Sequence, residues 1–363
     1  MTSLAFRRRL ARRTRWAATF LLLAAAGTTG CGDDLDGASS AADGRAGGSG
    51  GDCAYPDGEW SEIEARASRE GVVRWYSTLA PALNDRLVAA FARAYPDIGV
   101  EVTRATSPDL TRRIDAEAQG GARSADLAVH TDQAWQQAHG TTFFAPLVGP
   151  DVTDPDHDVL SADRTSTLVA LAVIGYGWNT SVIDDPPSSF EDLADPAYEG
   201  LVGLYDYEAP PVAASFAIWS EQYGDDFLAA LADQDPRFYA SGSALAQAVA
   251  AGEVGISAYI TPALVPEGAP VEIAYPVEPL ANAYVANVLC SADDPAAAQV
   301  LANWLLTPEA QEVAAQDAAS VLGPDAGVDA PFSLDDVRVT DVTSYRDSEL
   351  AALRRSLDAT FAR

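Results

Sequence analysis

Strand-like and helix-like segments alternate from Gly71 onward, and this alternation restricts the possible folds more than any other feature of the chain. Residues 72–76 form a short β-rich run, and residues 81–95 place Leu83, Leu87 and Phe91 on one helical face. Residues 99–106, 109–119 and 125–130 follow as a strand, a helix and a strand. A strand–helix–strand order brings successive strands side by side, so we predict a parallel sheet with helices packed on its faces.

The alternation continues toward the end of the chain. Further strands are predicted at 168–175, 201–205, 254–260, 271–274 and 283–289, and further helices at 211–223, 225–232, 243–251, 294–306, 308–317 and 348–361. A chain of 363 residues is longer than the size at which single hydrophobic cores stop growing. We therefore predict an α/β protein built of two lobes.

The first thirty residues are organised like an export signal. Six arginines lie within residues 7–15, and the apolar run WAATFLLLAAA follows at 16–26. That run is too short to span roughly 30 Å of hydrocarbon and is typical of a signal-peptide core. GTTGC at 27–31 resembles a bacterial lipobox, although Thr28 stands where leucine is usual, so Cys31 is the predicted lipid attachment point. Residues 31–58, rich in Gly, Ser, Ala and Asp, are predicted to form a disordered tether.

The charge of the chain argues against two classes of partner. Every basic residue is an arginine, and without the first thirty residues 17 arginines face 53 acidic residues, a net charge of −36. Such a surface repels phosphate backbones and anionic headgroups. We therefore expect no nucleic-acid partner, and contact with a membrane only through the lipid anchor.

Two cysteines remain once Cys31 is assigned to the lipid. Cys53 and Cys290 would enter an oxidising compartment after export, where they could pair in a disulfide. Alternatively Cys290, which follows the apolar run 285–289, is a buried free thiol. The sequence leaves both possibilities open.

Several motifs occur in a characteristic order along residues 71–320: VRWYST at 73–78, SADLAV at 124–129, SFEDLADP at 189–196, FYASGS at 238–243 and DPAAA at 294–298. In these motifs the chain resembles the periplasmic solute-binding lipoproteins of ABC importers, in the branch that includes ferric-ion-binding proteins. The resemblance implies a type II periplasmic-binding-protein fold with a hinge and an interlobe cleft. It also implies an exported monomer without a cofactor that delivers a small solute to an inner-membrane permease. Lobe one would take residues 71–170 and 275–325, and lobe two residues 171–274 and 326–363.

A ligand in such a fold is expected at the carboxyl ends of strands and at helix N-termini. Polar side chains occupy these loops throughout the chain, and they form the predicted ligand-binding set: Ser77, Thr78, Thr131, Asp132, Asp206, Tyr207, Ser241, Ser243 and Tyr259. An ordinary helix cap is the alternative role for about half of the serines and threonines, and for Asp132, because caps use the same geometry.

The sequence leaves the identity of the ligand open. Ferric-binding members typically carry two adjacent tyrosines after the segment GEV, which lies here at 252–254, but this chain has the single Tyr259. A ferric ion would use Asp132 and Tyr259 as its metal ligands. Helix N-termini suit an anion, whereas Asp132 and Asp206 suit a cation or an amine. Ferric iron or a ferric chelate is favoured by the resemblance, and a polyamine or another small organic ion is the alternative.

The sequence shows none of the common catalytic signatures. It contains no G-x-S-x-G elbow, no P-loop and no dinucleotide fingerprint, and its histidines at 130, 139 and 157 lack the spacing of a helical metal pair. We therefore predict a binding protein rather than an enzyme. The alternative function is a secreted hydrolase or transferase on a similar two-lobed scaffold.

Overall fold

The computed structural model describes Cys53 and residues 58–362, and two hydrophobic clusters form most of its core. The first cluster draws on residues 63–173 and 281–328, and the second on residues 174–280 together with Leu357. We call these parts lobe one and lobe two. The clusters define cores, so the lobe boundaries that the sequence suggests stay a prediction. The predicted signal peptide, Cys31 and nearly all of the predicted tether lie outside the described residues.

Lobe one contains a sheet with helices on both faces. Its elements are α1 (Trp60–Glu70), β1 (Val72–Ser77), α2 (Pro81–Ala94), β2 (Gly99–Arg104), α3 (Ser107–Gly120), β3 (Leu127–His130), α4 (Gln133–His139), β4 (Phe144–Ala145), the first part of β5 (Thr167–Asn179), and then β10 (Leu280–Leu289), α8 (Pro295–Trp304), α9 (Pro308–Ala315) and β11 (Arg338–Val339). Strands β2, β1 and β3 run parallel, as predicted. Strand β10 lies antiparallel to both β3 and β5, so the sheet as a whole is mixed.

Lobe two continues the same sheet and is rich in aromatic side chains. Its elements are the second part of β5, β6 (Val202–Tyr205), α5 (Pro210–Tyr223), α6 (Asp225–Ala232), β7 (Arg237–Tyr239), α7 (Gly242–Ala251), β8 (Ile256–Ile260), β9 (Val271–Ala274) and α10 (Asp347–Phe361). Strand β6 is parallel to β7 and β8, whereas β8 and β9 are antiparallel to β5. Within residues 58–362, no helix combines the length and apolarity needed to cross a membrane.

The long strand β5 passes from one lobe to the other. Residues up to Ile174 pair with β10, and residues from Gly175 onward pair with β8 and β9. A Cβ atom on Gly175 would lie 2.6 Å from the carbonyl oxygen of Ala274, and one on Gly177 would lie 2.8 Å from Ile260. Only glycine permits this close approach, and the register with β8 shifts between the two glycines. The chain crosses again before β10 and once more between β11 and α10.

Cys53 and Cys290 are joined by a disulfide, with their Cα atoms 4.9 Å apart. Cys290 directly follows β10, and Cys53 precedes α1, which packs against α8. The bond therefore attaches the start of the described chain to the sheet of lobe one. Of the two possibilities that the sequence left open, the structure contains the disulfide.

Candidate functional site

A narrow cleft separates the two lobes beside the crossing strands. Its lining consists of Leu79, Ala80, Leu83, Asp317 and Ala319 from lobe one, Thr261, Ala263 and Leu264 from lobe two, and Leu171, Ala172 and Tyr284 from the crossing strands. The enclosed space is about 20 Å³, which is enough for a single water molecule. A ligand larger than water would need this part of the cleft to widen.

Three tyrosines lie close together, and one of them, Tyr284, lines this cleft. The rings of Tyr205 and Tyr259 contact each other edge to face with centroids 5.2 Å apart, and Tyr284 interacts electrostatically with both. Burial raises the pKa of Tyr284 to about 12, and burial also raises the pKa of Tyr205 and Tyr259. All three phenols are therefore neutral at physiological pH and act as hydrogen-bonding groups.

Arg104 brings a positive charge to the same place. Its Nε donates a hydrogen bond to the carbonyl oxygen of Leu79 at 3.0 Å, and its charge favours the ionised form of Tyr284. Among the described residues no carboxylate forms an ion pair with Arg104. The one acidic residue in the cleft lining, Asp317, is already paired with Arg86. Arg104 is therefore a solvent-exposed cation beside the cleft, next to the lining residues Leu79 and Tyr284.

The predicted residues after β1 support the loop rather than reach into the cleft. Ser77 is 0% exposed, and its hydroxyl donates to Oδ1 of Asn84 at 2.8 Å and accepts from the backbone N–H of Leu79 at 3.2 Å. Contact of Ser77 with a ligand stays a prediction, and in this structure its hydroxyl is engaged within the loop. Thr78 is half-buried, and its backbone N–H and its hydroxyl both donate to the carbonyl oxygen of Val129.

The predicted residues after β3 are also engaged within the protein. Asp132 caps α4 by accepting from the N–H of Trp135 at 2.9 Å, and the N–H of Thr131 donates to the hydroxyl of Ser107. The hydrogen bonds of Asp132 are to its near neighbours His130 and Trp135, whereas Tyr259 bonds to Asn282, so the two predicted metal ligands do not contact each other. Among the described residues, no group of three or more histidines, cysteines or acids is placed to hold a metal ion. The structure does not assemble a ferric site from Asp132 and Tyr259.

The predicted residues at the start of α7 lie close to the cleft. Ser241 caps the helix by accepting from the N–H of Ala244 at 3.1 Å, and Ser243 is half-buried in the first turn. A Cβ atom on Gly242 would lie 3.0 Å from Leu264, which lines the cleft. Both serines therefore stay in the proposed ligand-binding set.

The two tyrosines that flank Asp206 have different environments. Tyr205, at the end of β6, contacts the ring of Tyr259. Tyr207 is 1% exposed, and its hydroxyl donates to Oδ1 of Asp358 on α10 at 3.0 Å. Ligand binding by Tyr207 stays a prediction, and in this structure the side chain lies in the core of lobe two. Asp206 is half-buried at the turn between them and accepts from the N–H of Glu208.

The sequence did not indicate Tyr284, which lines the cleft, or Arg104 and Asn282, which lie beside it. Asn282 and Tyr284 lie on one face of β10, and they are half-buried where the residues on either side are buried. A signal was available in the sequence LANAYVA at 280–286, because a polar residue and a tyrosine stand two positions apart in an otherwise apolar strand. Tyr259 is the predicted residue that these side chains surround.

Comparison with known proteins identifies the class of the fold. The family model for bacterial extracellular solute-binding proteins matches residues 72–317. No curated protein sequence is similar to the chain at a significant level.

Solved structures resemble the chain over most of its length. A substrate-binding protein of an ABC transporter from Agrobacterium tumefaciens has 17% identity and a TM-score of 0.68, covering 82% of this chain and 97% of that one. AfuA from Actinobacillus pleuropneumoniae, with fructose-6-phosphate bound, has 20% identity and a TM-score of 0.60, covering 80% and 99%. Iron-bound HitA from Pseudomonas aeruginosa has 22% identity and a TM-score of 0.58, covering 79% and 99%. At these identities the similarity shows the shared two-lobed fold alone.

Proposed function

Because the chain belongs to the family of bacterial extracellular solute-binding proteins, we propose that it binds a small anionic solute between its lobes and delivers it to the permease of an ABC importer. The observation that carries this proposal is Arg104, an exposed cation beside the cleft that contacts the lining residue Leu79 and has no acidic partner among the described residues. An anionic ligand would supply the missing countercharge. The N-terminal end of α7, which adjoins the cleft at Leu264, adds backbone N–H groups of favourable polarity.

A ferric ion is better accommodated in this cleft as part of an anionic chelate than as a bare ion. Three tyrosines at or beside the cleft favour ferric iron, because phenolate oxygen is a hard donor. Burial, however, raises the pKa of each phenol, and no carboxylate accompanies them in a metal-binding group among residues 58–362. The similar solved structures include both an iron-binding and an organic-anion-binding example, since HitA contains iron and AfuA contains fructose-6-phosphate.

Closure of the lobes is the proposed mode of capture. The cleft encloses too little space for an organic ligand, and the glycines of β5 lie where the strand passes between the lobes. We infer that the open form admits the ligand and that the closed form binds it more tightly, since only a difference in affinity can shift the equilibrium. Lipid attachment at Cys31 would hold this receptor at the outer face of the membrane.

The proposal is tested by titration calorimetry of the exported domain, residues 32–363, with citrate, ferric citrate, fructose 6-phosphate, spermidine and ferric chloride. We expect at least one anion to bind more tightly than spermidine. Arg104→Gln should weaken that anion about 10- to 100-fold, because a hydrogen bond to a charged group contributes about 1.5–3 kcal/mol.

Arg93→Gln is the matched control, because Arg93 also lacks a carboxylate partner in the described structure but bonds to Ala89 on its own helix. It should leave the affinity unchanged. Preferential binding of spermidine, or equal effects of the two substitutions, would refute an anionic ligand. Recovery of a chemically altered ligand would instead support the hydrolase or transferase alternative.

A further inference from the structure

In the side-chain amide of Asn282, the nitrogen forms a hydrogen bond and the oxygen does not. Asn282 lies on β10 opposite Ala172 of β5, and its Nδ2 donates to the hydroxyl of Tyr259 at 2.6 Å. Its Oδ1 is buried and accepts no hydrogen bond within the part of the chain that the structure describes. Leaving such an acceptor without a donor costs about 1–3 kcal/mol, so a partner for Oδ1 should exist in the working protein.

The groups around Asn282 do not provide that partner. The hydroxyl of Ser215, which also interacts with Tyr259, donates its one hydrogen to the carbonyl oxygen of Pro211 at 3.0 Å. The side chain of Tyr259 receives the amide hydrogen of Asn282 and thereby fixes the amide in place. Asn282 lies two positions from Tyr284 on the same face of β10, and Tyr284 lines the cleft.

We propose that the bound solute donates a hydrogen bond to Oδ1 of Asn282. This inference rests on the proposed function and narrows it. Asn282 and Tyr284 are two positions apart on one strand, a separation of roughly 6–7 Å along β10. Because Arg104 acts beside Tyr284, the donor of the solute lies several bonds away from its anionic group. The substrate class is a small organic acid or organic phosphate with a hydroxyl or ammonium group, which excludes inorganic anions and a bare metal ion.

Pairs of anions that differ only in the donor group test this assignment. Titration calorimetry would compare 4-hydroxybutyrate with butyrate, 5-hydroxypentanoate with pentanoate, and 3-hydroxypropylphosphonate with propylphosphonate. In the wild-type protein we expect the hydroxylated member of the best-binding pair to bind at least 10-fold more tightly, because a buried acceptor discriminates against a ligand without the donor. Asn282→Leu should remove this preference and should leave the affinity for the other member within about 3-fold.

Arg104→Gln separates this inference from the proposed function, because it should weaken both members of a pair by the same factor. Equal binding of both members to the wild-type protein would overturn the role of Asn282 and leave the anionic cleft intact. Failure of every organic anion to bind would overturn both proposals. If Asn282→Leu lowers the melting temperature too far for titration, the affinities of the wild-type protein for the two members of each pair still test the role of Asn282.

Discussion

The two lobes share one sheet but are stabilised by different kinds of contact. In lobe one, helix α8 buries small side chains such as Ala297 and Ala298, and the Cys53–Cys290 disulfide joins distant parts of the sequence. In lobe two, aromatic rings form an extended network in which Phe190 contacts Trp219, Tyr223 and Phe227. Lobe one therefore adds a covalent cross-link and closely packed alanines to its own ring contacts, such as Phe91 against Trp304, whereas lobe two has no such cross-link among the described residues.

The same difference continues into the cleft. Lobe one contributes Arg104 and a loop whose hydroxyls are already engaged, as at Ser77. Lobe two contributes Tyr205 and Tyr259, whose rings stay neutral at physiological pH. The comparison teaches that the positive charge and two of the three phenols beside the cleft come from opposite lobes. Three experiments test how far the lobes are independent.

The largest effect is expected from removing the disulfide with Cys53→Ala and Cys290→Ala. The bond closes a loop with a sequence separation of 237 residues, and its loss should lower the free energy of unfolding by about 5 kcal/mol. We expect guanidinium titration to show lobe one unfolding ahead of lobe two. The reduced wild-type protein should behave in the same way. A single transition with an unchanged midpoint would show that the disulfide does not support lobe one.

The second experiment uses pH, because lobe one buries a histidine. His130 is fully buried, and burial lowers its pKa to about 4 from an ordinary value of 6.5. Between these values the unfolded chain binds a proton that the folded chain does not, so stability falls as the pH drops from about 6.5 to 4. The expected loss is about 3 kcal/mol.

Calorimetry of the wild-type protein and of His130→Gln across this pH range isolates the effect from that of the many carboxylates. Glutamine keeps a polar group near Asn287, the partner of Nε2 in His130. The difference in stability between the two proteins should shrink as the pH falls. Parallel pH profiles would mean that the pKa of His130 is the same in the folded protein as in the unfolded chain.

The smallest effect is expected in lobe two, where Tyr207→Phe removes the hydrogen bond to Asp358. Asp358 is half-buried and water can replace the lost donor, so the cost should be about 1 kcal/mol. Hydrogen exchange should accelerate in α10 alone. Tyr198→Phe is the control, because the hydroxyl of Tyr198 bonds to Asp185 in the same lobe without touching α10. Equal acceleration in both variants would rule out a specific attachment of α10.

Most elements could be predicted from the sequence, and the exceptions have physical causes. The predicted helix at 81–95 and strand at 99–106 correspond to α2 and β2 within a residue or two. Helix α1 was not predicted, because Ile63 and Ala67 alone are buried on it and its apolar stripe is too narrow. Strand β5 continues past the predicted end at Gly175, because pairing with β9 outweighs the low strand propensity of two glycines.

The site was harder to predict, because sequence does not distinguish a helix cap from a ligand loop. Asp132 and Ser241 have the residue types and positions of both, and the structure shows each acting as a cap. Tyr207 stands two positions after Tyr205, which would place both on one face of a longer strand. Strand β6 ends at Tyr205, so the turn sends Tyr207 into the core.

The order in which the two cores occur along the chain has a consequence for biogenesis. The core of lobe two is nearly continuous in sequence, since residues 174–280 supply almost all of it. The core of lobe one is split, and its second part begins only at Ala281. As the polypeptide emerges from a translocation channel with its N-terminus first, the interior piece can therefore assemble early. The first part of the lobe-one core, residues 63–173, cannot complete its packing until residues 281–328 have emerged, so its apolar side chains stay exposed. During that interval we expect the chain to need a holding chaperone.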